Sequence, residues 1–329
     1  MSQSVNDSYL KEIDENVLWF ALEDKINIIS TNIIIDYYYK YNTLKNFFSL
    51  DYYDMEKNGL EKKNIVKFKS LYNNIDFIEL KKKYMSLLKQ NIKFIKVIDK
   101  DYPNILKKIN DAPLILFKKG VLNNYENCIA ISGTRNPSVY GRLMARKIAY
   151  ELSEYGYTIV SGLAHGIDEW AHCGALESDK GKTIAILAWM NPEYPAEHFD
   201  LFKDIINRGA VLSELSARPD SIIAKVKFIQ RDRIISGMSN AVIAIESDIE
   251  GGTVHQVNLA FNQKKIVFAL EPKDNEKAKR GFKLFVDMGA IPIKNTKDIL
   301  LAFRNYKDAL QKPNVNRGQQ NIINKNDSG

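Results

Sequence analysis

Cysteine is almost missing from this chain. Among 329 residues only Cys128 and Cys173 occur, too few for a disulfide framework or a cysteine-built zinc centre. Long apolar runs are missing as well, since no stretch reaches the ~18 residues that would span a bilayer. Met1 to Glu15 is polar and acidic, where a secretory leader would start basic and turn apolar. A reducing cytoplasm is therefore the expected setting, with no membrane partner. Neither the dinucleotide fingerprint G-x-G-x-x-G nor the Walker pattern G-x-x-x-x-G-K-[ST] occurs, so nothing supports NAD binding or ATP hydrolysis and no cofactor is expected. Arginine is absent before Arg135, although lysine is plentiful there.

The chain is 45% hydrophobic and 26% charged, an ordinary globular mixture long enough for about two domains. Its +7 charge permits nucleic acid as a partner. The charge is uneven: residues 40–119 hold 18 Lys against 9 acidic residues, a local balance of +9. That segment is either a set of solvated helical faces or an accessory surface for a phosphate backbone.

Apolar clusters at helical intervals (Val17 to Leu22, Ile33 to Ile35, Phe47, Phe48, Leu71, Phe77 and Leu80) predict a small helical domain over residues 1–90. Phe94 to Ile98 predicts a strand. From Asn127 the texture alternates between apolar strands and helices. Strands are expected at Cys128–Ser132, Tyr157–Ser161, Lys182–Trp189, Ala210–Glu214, Ala241–Glu246 and Lys265–Leu270. Strands apolar on both faces predict an α/β fold, a doubly wound Rossmann-like parallel sheet over residues 91–300. Residues 301–329 read as a polar, disordered tail.

Ligands of such sheets bind beyond the carboxyl ends of the strands. Three glycine-bearing loops fall there: Gly133-Thr134-Arg135, Ser161-Gly162 with Gly166, and Gly251-Gly252-Thr253. Each could merely permit a tight turn, but together with Arg135 they form a phosphate-binding edge, with Arg135 as clamp. Lys182 is either a second phosphate charge or a solvated lysine. Lys225, Lys227 and Phe228 suit a base-stacking platform beside cations, unless Phe228 is core. Arg231 and Arg233 diverge by about 200° on a helix, so one faces the groove and the other anchors the helix. His165, Asp168 and His172 invite a metal reading that Gly166 interrupts, so no metal is expected.

Several motifs in order resemble the DNA-processing protein DprA (Smf) family. They are Gly133-Thr134-Arg135, Ser161-Gly162-Leu163-Ala164 through Asp168 and His172, and Arg231-Asp232-Arg233 through Gly237. Tyr102-Pro103, Pro113 with Leu116-Phe117, Gly181-Lys182-Thr183, Tyr194-Pro195 and Gly289-Ala290 fit the same family. The resemblance implies a dimeric, non-enzymatic protein that binds and protects single-stranded DNA. It further implies help in loading a recombinase of the RecA type during transformation or recombination. Five positions depart from the family pattern: Thr134 stands for Ser, Asp232 for Asn, His198 for Asn, and Glu271-Pro272 for Pro-Gly. Two other readings use the same fold, a nucleotide-binding sensor and a phosphoribohydrolase-like enzyme. The enzyme reading lacks its main residue, because Gln256 occupies the place of the glutamate that would stabilise an oxocarbenium ion.

Overall fold

The computed structural model of the chain describes residues 12–23, 28–72, 75–191 and 196–311. Six helices come first: α1 Glu15–Ala21, α2 Thr31–Tyr41, α3 Lys45–Ser49, α4 Tyr52–Lys57, α5 Lys62–Tyr72 and α6 Phe77–Lys89. Side-chain caps start three of them: the carboxylates of Asp14, Asp51 and Asp76 accept backbone N–H groups at the heads of α1, α4 and α6. Their apolar faces meet in an aromatic cluster in which Phe48 contacts Phe47, Phe68, Tyr72 and Phe77.

Two strands follow, β1 Lys93–Lys96 and β2 Ile115–Gly120, paired antiparallel. Phe20 of α1 packs on Phe94 and Phe117, so the helices and this hairpin share one core. Between the strands, the buried Tyr102 hydroxyl donates to the carbonyl of Pro113 at 2.7 Å, which joins two motifs noted in the sequence. Not every lysine of this basic segment is on the surface. Lys118 is 1% exposed and donates to Asn123, and burial followed by the nearby Lys93 charge lowers its pKa to about 8.

The remaining elements alternate: β3 Cys128–Gly133, α7 Val139–Glu154, β4 Thr158–Ser161, α8 Ile167–Glu177, β5 Lys182–Leu187, α9 Phe199–Arg208 and β6 Ala210–Ser213. After these come α10 Ser221–Gly237, β7 Ala241–Ile245, α11 Gly252–Asn262, β8 Ile266–Leu270, α12 Glu276–Asp287, β9 Ile291–Ile293 and α13 Thr296–Gln311. The nine strands form one sheet in the order β1-β2-β6-β5-β4-β3-β7-β8-β9. In the order from β6 to β9 all neighbours are parallel, and only the β1–β2 and β2–β6 pairs are antiparallel, so β2 alone runs against the rest. This is the doubly wound sheet that the strand pattern predicts, with two antiparallel strands added at one edge. Alternate residues feed the two faces: Ile129 and Ile131 enter one core, Cys128 and Ala130 the other. The edges are blunted by Lys93 and Lys96 on β1 and by Pro292 within β9.

The tail boundary expected at residue 300 falls inside α13, which stays helical through Gln311. Residues 312–329 and Tyr194-Pro195 lie outside the described residues. No described helix is long and apolar enough to cross a membrane.

Candidate nucleic-acid interface

Strand order reverses direction at β3, whose neighbours are β4 on one side and β7 on the other. Beyond the carboxyl ends of β3 and β7 lies a pocket of about 470 Å³. This is the switch point at which open α/β sheets bind ligands. Its lining brings together Gly133, Thr134, Arg135, Arg231, Gly251, Gly252 and Thr253, seven of the residues singled out in the sequence. Segments from Gly133 to Thr253, remote in sequence, therefore converge on one space.

The loops are tied to each other before any ligand arrives. Thr134 donates its N–H to the carbonyl of Glu246 at 2.9 Å and accepts from the N–H of Ile167 at 3.2 Å. Leu163 and Glu246 adopt φ of 57° and 46°, left-handed values that non-glycine residues seldom take. Gly162 is required for another reason: a Cβ there would lie 2.3 Å from the Arg231 guanidinium. Helix α11 opens at the pocket through Gly251 and Gly252 and presents its unpaired N–H groups and positive dipole end.

Arg135 is exposed, and its guanidinium makes no ion pair or hydrogen bond among the described residues. It is a cation available to a ligand. Arg231, 8% exposed, is largely committed: one terminal nitrogen donates to the carbonyls of Gly162 and Ile186 at 2.7 and 2.6 Å. Its Nε lies 3.1 Å from a carboxylate oxygen of Asp232. Arg231 thus fastens α10 to the ends of β4 and β5 while still lining the pocket.

Four carboxylates also line the space, and each is compensated. Glu246 accepts from the backbone and hydroxyl of Ser138, the cap of α7. Asp248 is gripped by Arg280 at 2.9 Å, and that hydrogen bond lowers its pKa. Burial raises Asp168 to about 6, partly offset by the charge of Arg231. Burial likewise raises Asp232, again offset by Arg231. Lys277, exposed on α12, adds a positive charge at the far wall.

Phe228 is half-buried, its ring 4.9 Å from that of Trp189 at 68°. It lines a narrow cleft with Arg135, His165 and Arg231 that adjoins the main pocket. The ring thus packs against Trp189 on one side and lines the cleft on another. Lys225 is exposed three residues earlier on the same helix.

Other expectations are corrected. Lys182 begins β5, paired with Thr158 at the start of β4, so it sits at the opposite edge of the sheet from the pocket. Arg233 points away from it: its guanidinium binds Glu214 at 2.7 Å and Asp111 at 3.1 Å and anchors the helix. Lys227 is 7% exposed and donates to Gln230, which removes it from the surface. Ser161 is fully buried and its hydroxyl donates to the carbonyl of Ile131 within the sheet. Asp168 and His172 do not join His165, because Asp168 accepts from Gly162 N–H and His172 contacts the Thr183 hydroxyl at 2.6 Å. Sequence reasoning missed Glu246, Asp248, Asn275 and Lys277, whose places in the lining no linear spacing announces.

Fold and site together define a class, a doubly wound α/β protein with a glycine-loop pocket at its switch point. Comparison with known proteins gives the family. Residues 93–304 match the family model described as DNA recombination-mediator protein A. The DNA processing protein DprA of Bacillus subtilis (strain 168) is 34% identical over 210 residues, 62% of this chain and 70% of that one. DprA of Streptococcus pneumoniae is 32% identical over 243 residues, 73% of this chain and 83% of that one. An X-ray structure of the Streptococcus pneumoniae protein superposes with a TM-score of 0.73 at 29% identity, covering 88% of this chain and 98% of that one. A Helicobacter pylori DprA structure, described for its single-stranded DNA binding mode, superposes at 0.57 with 25% identity, covering 65% and 97%. The chain belongs to the DprA (Smf) family.

Proposed function

We propose that this protein binds single-stranded DNA through its phosphates at the switch-point pocket and acts without catalysis. The observation that carries the reading is the unpaired guanidinium of Arg135 in a glycine loop, lining one pocket with the open end of α11. That arrangement supplies a fixed charge and backbone donors, which hold a phosphate and read no base. Phe228 beside it offers a face for an unstacked base, so duplex binds more weakly. The Helicobacter pylori relative's described single-strand binding supports the same ligand class. Gln256 supports the absence of glycosidic chemistry: its side chain is 3% exposed and donates to the carbonyl of Asp232, a structural tie.

Family membership extends the proposal to a cytoplasmic homodimer that protects single strands and hands them to a recombinase of the RecA type in transformation or recombination. A second reading rests on the pocket volume of about 470 Å³, which suits a single nucleotide as well as one link of a strand. Fluorescence titration with a single-stranded oligonucleotide, its duplex and free nucleotides separates the two. The expected result is tight single-strand binding that weakens steeply with salt and varies little with sequence. Binding of a free nucleotide with no affinity for the oligonucleotide refutes the DNA reading.

A further inference from the structure

We propose that His165, Glu169 and His198 form a binding site for a divalent cation of the zinc class at the lip of the pocket. The site stands independently of the DNA reading. One ligand atom from each residue lies within 4.8 Å of the other two. His165 ends the loop before α8, Glu169 is in its first turn, and His198 arrives on the short helical turn Ala196–His198.

The strongest observation is His198, only 6% exposed. Its Nδ1 is 3.1 Å from the carbonyl of Leu163, and because a carbonyl only accepts, Nδ1 carries the proton. Nε2 is thereby aimed at Glu169, with Oε2 at 3.4 Å. A charge-assisted hydrogen bond would close that gap to about 2.8 Å. Two ligands on one tetrahedral zinc, each about 2.05 Å from the metal, stand roughly 3.3 Å apart. A backbone carbonyl fixing the tautomer of a buried imidazole is also the usual support behind a histidine ligand.

The third ligand is close by. The His165 ring lies 4.5 Å from that of His198, and its side chain is 51% exposed, free to swing inward. Glu197 reaches to 3.9 Å of His165 Nε2 and supplies a fourth donor. Glu169 Oε2 also receives the N–H of Gly166 at 3.4 Å. Two imidazoles with carboxylate oxygens suit zinc, whereas magnesium and calcium take oxygen-only shells. A bound cation would fasten the 196–198 turn to α8 and place positive charge in the cleft that Arg135 and Phe228 line.

The test is calorimetric titration of the untagged full chain with zinc chloride, with thermal unfolding followed in parallel. One tight equivalent and a rise in Tm are expected. Affinity should fall on the order of 100-fold in His165→Asn, Glu169→Gln and His198→Asn, and stay unchanged in Cys173→Ser. His165 is half exposed, so His165→Asn carries the test in a folded protein even where loss of the buried His198 disturbs folding. No saturable zinc binding would overturn the proposal. Zinc binding unchanged in His165→Asn and Glu169→Gln, or abolished by Cys173→Ser, would overturn it too.

Discussion

Replacing Asp232 by Asn should tighten binding of single-stranded DNA. Asp232 lines the pocket 3.1 Å from Arg231 Nε, and burial already disfavours its charge. A cavity of about 470 Å³ is about 10 Å across, which puts a bound phosphate roughly 7 Å from this carboxylate. At an effective dielectric of about 20, two unit charges at that distance repel by about 2.4 kcal/mol. Pairing with Arg231 and partial solvation reduce this to about 1 kcal/mol, a fivefold gain in affinity for Asp232→Asn. The effect on folding is of similar size and no larger, because Arg231 keeps the carbonyls of Gly162 and Ile186. A loss of about 1 kcal/mol, or a few degrees of Tm, is expected. Anisotropy of a labelled oligonucleotide at two salt concentrations reads the first quantity, and a thermal melt the second. Unchanged or weaker binding in a protein of normal Tm would refute the reasoning, and would mean that Asp232 serves to hold Arg231 or lies away from the strand.

Further outcomes follow from the same geometry. Arg135→Ala should weaken single-strand binding by at least tenfold with Tm intact, whereas converting the exposed Lys81, Lys82, Lys83 and Lys89 to Gln should cost less, as a parallel titration would show. Arg233→Ala should destabilise the fold by about 3–5 kcal/mol in urea melts, because Glu214, 12% exposed, loses its buried partner. Single-strand affinity should rise as pH falls through about 6, where Asp168 takes up a proton and the pocket loses a negative charge. Asp168→Asn should flatten that slope. The same group makes the sign of stability definite: its folded pKa is raised, so its contribution is full below the ordinary value of 3.8 and is lost as pH rises through about 6.

Sheet strands were legible because parallel strands are buried on both faces, which leaves unbroken apolar runs such as Cys128–Ser132 and Ala241–Glu246. Ile291–Ile293 was not, being three residues long and interrupted by Pro292 at an edge. Glycine loops were legible for the same physical reason, since each sits where a run ends. Lys182 was misplaced because it is the first residue of its strand, and a strand's start lies at the edge opposite the ligand. Arg231 and Arg233 could be split into one facing the site and one anchoring, but which was which depends on Glu214 and Asp111, both remote in sequence. His165 was weighed with Asp168 and His172, and no metal was expected there; its neighbour in space is His198, brought by a turn more than thirty residues on.

Strand order also sets a ruler. Between β2, which closes the lysine-rich segment, and β3, which opens the pocket, stand β6, β5 and β4. Four inter-strand steps of about 4.8 Å separate them by roughly 19 Å. That is more than two screening lengths at physiological ionic strength, so exposed lysine charge beside β2 is largely screened from the pocket. A strand at about 3.4 Å per nucleotide needs some six nucleotides to touch both places. Oligonucleotides shorter than this report on the pocket alone, and chain length becomes the variable that divides one part of the protein's grip from the other.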